Sequence, residues 1–142
     1  MMGNEKKLPL YDLTGEILTC CFEVMKELGP GFQEKVYKNA LYIALTENEL
    51  SVEAEKSFTV TFRGKIIGRY SADLVVENAV IVELKCCECL AREHQAQLFN
   101  YLKVSQLPVG LLVNFQQGKL EYKRLHRPKD CVNYDLEEKV PF

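Results

Sequence analysis

The chain has 142 residues, 47% hydrophobic and 27% charged, with a formal net charge of −2. That length suits one domain with its own core, and the composition is that of an ordinary globular chain. A charge of −2 excludes a protein that coats nucleic acid through bulk basicity. No apolar run approaches the roughly 20 residues needed to cross a bilayer.

The N-terminal stretch Met1–Lys7 is polar and lacks the apolar segment of an export signal, so no membrane partner and a cytoplasmic location are expected. The chain reads as a single domain over residues 1–142, with 1–8 and 130–142 as flexible or peripheral ends.

Leu10 to Leu28 carries apolar residues at Leu10, Leu13, Ile17, Cys20, Cys21, Val24 and Leu28, a helical stripe. Gly29-Pro30-Gly31 stops it. A second helix is expected from Gln33 to Asn48, with Val36, Leu41, Ala44 and Leu45 inward. Glu34 falls in its first turn, where a carboxylate suits the helix dipole. Ser57 to Arg63 alternates through Phe58, Val60 and Phe62 and predicts the first strand, turning at Arg63-Gly64-Lys65. Ile66–Val76 and Ala79–Cys86 predict the second and third strands.

Ala91 to Ser105 predicts a helix with Leu98, Phe99 and Leu102 on its apolar side. His94, Gln97 and Tyr101 form a separate polar stripe at i, i+3, i+7, which an exposed face with a routine histidine would also explain. Leu107–Phe115 predicts an apolar strand, and Lys119–Leu125 its partner across Gln116-Gln117-Gly118. Lys119, Lys123, Arg124, Arg127 and Lys129 give local basicity there, which a solvated strand edge explains nearly as well. The residues from Asp130 onward are acidic.

Three ionisable residues interrupt the second and third strands where burial would make charge costly: Asp73, Glu83 and Lys85. A three-residue loop at Glu77-Asn78-Ala79 pairs Val76 with Val80, Leu74 with Val82 and Asp73 with Glu83. One face then reads Ala72, Leu74, Val76, Val80, Val82, Leu84, and the other Ser71, Asp73, Val75, Ile81, Glu83, Lys85. A one-residue slip would send a carboxylate into the core, so the apolar face selects this register.

Two neighbouring carboxylates repel and raise one pKa. A divalent cation relieves this, and magnesium takes one or two carboxylates with waters and substrate phosphate. Lys85 could then orient or activate a water, or stabilise charge developing on a phosphate. A structural carboxylate–lysine ion pair on a solvated sheet face is the other reading of the same three residues.

Asp73, about ten residues, then Glu83-Leu84-Lys85 resembles the signature of the PD-(D/E)XK nuclease superfamily, with Ala72 in place of the proline. Gly31-Phe32-Gln33-Glu34-Lys35-Val36-Tyr37 resembles the G-x-x-E-x-x-Y string of the GxxExxY family within it. Gln97-Leu98-Phe99-Asn100-Tyr101 is similar to the Q-x-x-x-Y motif of the RecB-like branch. These motifs cover roughly Leu10 to Leu125.

The resemblance implies a restriction-endonuclease-like α/β sandwich, a mixed central sheet flanked by helices in the order ααβββαββ. It implies a Mg²⁺- or Mn²⁺-dependent nuclease acting on nucleic acid, DNA rather than RNA, by endo- or exonucleolytic hydrolysis. Asp73, Glu83 and Glu34 would be catalytic residues and metal ligands, Glu34 directly or through water, with Lys85 catalytic beside them. Gln97, Tyr101 and His94 would contact substrate, or in the case of Gln97 and Tyr101 hold Lys85. Relatives that cut both strands pair, so a homodimer is a further expectation. A binding or regulatory module without turnover, dimeric or not, is the alternative on the same scaffold.

Six cysteines do not change this reading. Cys20, Cys21, Cys86, Cys87, Cys89 and Cys131 lack the paired spacing of a zinc site, and reduced thiols are the default without export. Nothing in the sequence places a histidine beside a cysteine for thiol catalysis.

Overall fold

The computed structural model describes residues 10–116 and 119–127. The expected ends 1–8 and 130–142, the turn residues Gln117 and Gly118, and Lys129 and Cys131 lie outside the described residues. Within them the elements run α1 (Leu10–Leu28), α2 (Glu34–Glu47), β1 (Val52–Phe62), β2 (Lys65–Val76), β3 (Val80–Lys85), α3 (Arg92–Ser105), β4 (Val109–Asn114) and β5 (Glu121–His126). The strands form one sheet in the order β1-β2-β3-β4-β5. Only β3–β4 is parallel, joined by the α3 crossover, and the other neighbours are antiparallel. This is the mixed-sheet ααβββαββ sandwich the motifs imply.

Helices cover both faces of the sheet, and each face has its own apolar cluster. On one side α1 and α2 pack Ile17, Cys21, Tyr37, Leu41 and Leu45 onto Leu74, Val82, Leu84 and Val113. On the other, α3 packs Leu98 and Leu102 onto Ala72, Val75, Ile81 and Leu112. Strands buried on both faces read as continuous apolar runs, and β3 and β4 do. Gly110 on β4 lets α3 approach, since a Cβ there would lie 2.9 Å from a Leu98 methyl.

The β2–β3 register is the expected one, with Leu74 opposite Val82 and Val76 opposite Val80. Glu77 and Asn78 take positive φ values of 52° and 50° to turn the chain.

Three expectations need correction. Strand β1 starts at Val52 rather than Ser57, because a run of charged residues hides an edge strand that has no alternation to display. Val36 is 38% exposed and Tyr37 is buried instead. The inward face of α2 therefore follows Tyr37, Leu41 and Leu45, at i, i+4, i+8.

Ala72 joins the α3 face while Leu74 joins the α1/α2 face, so side chains two apart serve opposite layers. The alternation resets at Asp73, opposite Glu55 in the register that pairs Ala54 with Leu74 and Lys56 with Ala72. Glu55 has φ 55°, a left-handed conformation that interrupts a strand ladder.

Candidate active site

Beyond Leu74 and Val82 the β2–β3 ladder stops and the strands are held by side chains. Asp73 N–H donates to Glu83 Oε2 at 3.2 Å, and Leu84 N–H donates to Asp73 Oδ2 at 2.8 Å. Each carboxylate thus fills a place that a cross-strand carbonyl would hold in a regular ladder. A buried N–H left without a partner costs a large part of a hydrogen bond's energy, so the two acids also close the gap they sit in. That fixes them side by side, on strands whose outer faces are already packed.

The electrostatics of this pair are unfavourable by themselves. Glu83 is 8% exposed. Burial first, then the Asp73 charge, push its carboxyl up to about 8, against opposing pulls from the Asp73 N–H and the Lys85 charge. Lys85 follows on the same strand and is half-buried. Among the described residues it forms an ion pair with neither carboxylate. A structural Glu83–Lys85 bridge is therefore not what these residues build.

The donor set, two adjacent hard carboxylate oxygens short of positive charge, fits a divalent cation that completes its shell with water and phosphate. Among the described residues no three acidic, cysteine or histidine side chains gather tightly enough to hold one ion by themselves. Asp73 and Glu83 are thus the direct candidates.

Glu34 reaches the site from the other side. It opens α2 and lines, with Lys35, Lys38, Glu55, Asp73 and Leu84, a cleft of about 320 Å³. Lys38 pairs with Glu55 across that cleft, so the residue that breaks β1 is tied to the helix carrying Glu34. Tyr37 sets the helix in place. Its hydroxyl donates to the Gly29 carbonyl at 2.6 Å and accepts from Phe32 N–H at 3.2 Å. Its ring stacks on Phe115 at 4.8 Å. Glycines 29 and 31 take φ values of 74° and 107° in the same turn. The glycine and tyrosine of the Gly31–Tyr37 string are therefore the turn and the clamp that present Glu34.

From the α3 side, Tyr101 faces the pair. Burial, then the Glu83 and Asp73 charges, raise its phenol. Its ring stacks on Tyr70 with centroids 3.7 Å apart, and Tyr70 stacks in turn on Phe58 at 5.2 Å. The Tyr70 hydroxyl donates to the Tyr101 carbonyl at 2.9 Å. Gln97, one turn earlier, is exposed. His94 stands at the N-terminus of α3 and caps it: its Nδ1 accepts from Ala91 N–H at 2.9 Å, and its backbone N–H donates to the Ala91 carbonyl at 3.0 Å. The imidazole at the third helical position thus reaches back to the N-cap N–H, as a glutamate or glutamine does in a capping box.

Behind Lys85 a buried asparagine braces the chain. Asn114 accepts from Cys87 N–H at 3.0 Å and donates to the Cys87 carbonyl at 2.9 Å. It also donates to Glu121 Oε1 at 3.0 Å, which accepts from Leu90 N–H at 3.0 Å as well. Phe115 N–H donates to the Lys85 carbonyl at 2.9 Å. Sequence reasoning missed Tyr70, Asn114 and Glu55, because each acts through a fold contact that carries no spacing rule. Tyr37 was visible only as a motif letter. The described cysteines are free thiols. Burial raises Cys20, Cys21, Cys86 and Cys87, which suits packing and disfavours a nucleophile.

A family model described as the PD-(D/E)XK nuclease superfamily matches residues 11–125. No curated protein matches in sequence. Among solved structures, the crystal structure of SSO0001 superposes with a TM-score of 0.54 at 21% identity, over 66% of this chain and 50% of its own. An alkaline exonuclease (LHK-Exo) from Laribacter hongkongensis superposes with a TM-score of 0.51 at 14% identity, over 75% of this chain and 60% of its own. The chain thus spans only 50% and 60% of the lengths of these two structures, and at such identities the likeness is one of fold.

Proposed function

Since the chain belongs to the PD-(D/E)XK nuclease superfamily, whose members are generally divalent-metal dependent, we propose that it hydrolyses phosphodiester bonds in nucleic acid at Asp73, Glu83 and Lys85. The carrying observation is the split of β2 from β3. Two carboxylates bridge it through each other's neighbouring backbone N–H groups, and the adjacent lysine is left without an ion pair. A purely structural cluster would bring Lys85 onto Glu83.

Asp73 and Glu83 would hold Mg²⁺ or Mn²⁺, which when bound offsets charge on the phosphoryl oxygens. Lys85 orients the attacking water or receives charge developing on the phosphate. Glu34, set across the cleft by Tyr37, acts on the same ion through water. Tyr101 and Gln97 contact the backbone of the scissile strand. His94 keeps only Nε2 for a substrate contact, since its Nδ1 caps α3. The Gly31–Tyr37 string supports placement in the GxxExxY branch, and its tyrosine has a definite task here.

DNA is the preferred substrate in this reading, acted on inside the cell, and a homodimer would serve if both strands are cut. No helix of the described residues is long and apolar enough to cross a membrane. The test is cleavage of labelled single-stranded, duplex and branched DNA and of RNA, in Mg²⁺ and in Mn²⁺, with Lys85→Ala beside the unmodified protein. Cleavage lost in the variant supports the assignment and identifies the substrate. Absence of cleavage on every substrate, from protein that still binds metal, would favour a binding module on this scaffold.

A further inference from the structure

We propose that the outer half of the β1–β2 hairpin is a polynucleotide grip. It would hold the substrate strand about four to eight nucleotides from the bond cleaved at Asp73 and Glu83. This rests on the nucleic-acid reading above and adds a second contact region to it.

The outer hairpin, like the β5 segment around Lys123 and Arg124, is cationic in a chain that is acidic overall. Overall the protein has 20 acidic and 18 basic side chains. Between Ser57 and Ser71 it has Arg63, Lys65 and Arg69 and no acidic residue. All three basic residues are exposed.

The same tip presents Phe62, Ile66 and Ile67, which are 55%, 58% and 65% exposed. Scattered apolar residues on a surface are ordinary. Phe62, opposite Lys65, and Ile66, opposite Thr61, fall on opposite faces of the tip, so both faces present bare apolar surface beside the cations. The Arg63 guanidinium lies over the Phe62 ring at 4.7 Å from its centroid, a flat cationic–aromatic pair that can meet phosphate and base together.

Strand geometry gives the reach. Arg69 and Lys65 precede Asp73 by four and eight residues on the same strand. At about 3.3 Å per residue they lie roughly 13 and 26 Å along it. One nucleotide spans about 3.4 Å along a strand, hence the interval of about four to eight. A second copy of this chain is the competing occupant. Pairing two such tips would bring together cations of one sign with no acid between them, whereas a polynucleotide supplies the counter-charge and apolar base faces.

The test compares the protein with an Arg63→Glu/Lys65→Glu/Arg69→Glu variant, and separately with Phe62→Ser/Ile66→Ser. Binding of fluorescein-labelled 6- and 24-nucleotide DNA, single-stranded and duplex, is measured against salt in a Lys85→Ala background to prevent cleavage. Hydrolysis of bis-p-nitrophenyl phosphate in Mn²⁺ is measured with Lys85 intact. We expect the charge variant to bind the 24-mer about tenfold or more weakly, with a salt slope shallower by about two to three. The 6-mer, which reaches from the cleaved bond only as far as Arg69, should lose less affinity than the 24-mer, and hydrolysis of the small diester should be unchanged.

Equal 24-mer affinity and salt slope in the charge variant would overturn the grip. So would a change in oligomeric state by light scattering with DNA binding intact, which would make the tip a contact between copies. Failure of the unmodified protein to bind the 24-mer at low salt would also overturn it. If bis-p-nitrophenyl phosphate is not hydrolysed while 24-mer binding still depends on the three cations, the hydrolytic reading fails and the grip stands. The double serine variant keeps every charge, so a loss of 24-mer affinity there adds base contact to the grip, and unchanged affinity reduces it to phosphate contact alone.

Discussion

Strand β2 passes through two environments. From Ala72 to Val76 it is packed between layers and carries one acid, Asp73, half-buried against Glu83. From Lys65 to Ser71 it runs mostly exposed, with cations and bare apolar side chains. The same secondary structure therefore does two kinds of work. In the buried half a charge is costly to hold and its position is fixed by backbone partners, which suits chemistry on a reacting atom. In the outer half charge costs little, adapts to its partner and is screened by salt, which suits holding a polyanion. The boundary between them is the break at Asp73 and Glu55, where the strand exchanges faces.

The largest expected effects separate the halves by activity. Asp73→Ala should lower cleavage by about 10²-fold or more, as removal of a group that stabilises the reacting charge does. It should also abolish the rise in melting temperature on adding Mg²⁺ or Mn²⁺. A ligand at 100 times its dissociation constant adds about 2.7 kcal/mol to a protein that binds it only when folded. Arg69→Ala, four residues away, should keep that metal-linked rise in full. Loss of the rise in both variants would mean the two halves are not independent.

Next in size is packing. Leu84 is 1% exposed, between Glu83 and Lys85 in the α1/α2 cluster. Leu84→Ala should cost about 2–5 kcal/mol in chemical denaturation. Ile67→Ala, on a residue 65% exposed, should stay within about 0.5 kcal/mol. Comparable losses would show the tip covered by something in solution.

How far each half could be read from sequence follows from the same contrast. The β2–β3 register was legible because only one pairing keeps Leu74, Val76, Val80 and Val82 on one face and the acids off it. The inner part of β1 was not legible. Glu53, Glu55 and Lys56 show no alternation, and Glu55 leaves strand geometry altogether. The same break put Ala72 on the α3 face, which no period-two rule anticipates. Asp73, Glu83 and Lys85 could be named from spacing, but Tyr70 and Asn114 hold the site through a ring stack and an amide bridge between distant segments. His94 at the start of α3 was legible as a stripe member and not as a cap, because an alanine at the cap position gives no signal.

Protonation of Glu83 gives a smaller, directional effect. Its folded-state value is raised to about 8 from an ordinary 4.5, so between these values the folded chain binds more protons than the unfolded one. Stability from this group is complete below about pH 4.5 and is lost as pH rises through about 8. In chelator, the melting midpoint should fall across that window by several degrees more than in Glu83→Gln. Divalent metal should reverse the trend, because binding a cation favours the ionised form. Identical pH profiles for the two proteins would mean that the carboxyl is not held protonated by its burial beside Asp73.

The smallest expected effect probes the boundary itself. Glu55 holds φ 55° and pairs with Lys38, and its side chain is half-exposed at 55%. The ion pair is worth about 1 kcal/mol at most at such exposure. A left-handed residue costs about 1–2 kcal/mol unless it is glycine or asparagine. Glu55→Asn should therefore be close to neutral, the relieved backbone offsetting the lost pair. Glu55→Val cannot hold that conformation, and should lose about 1–2 kcal/mol or straighten the strand. Straightening would extend the regular ladder past Asp73, so the metal-linked rise in melting temperature would shrink in Glu55→Val and persist in Glu55→Asn. Equal metal-linked rises in both would mean that Asp73 is held by Leu84 and Glu83 alone, and that the break in β1 serves the outer hairpin rather than the acids.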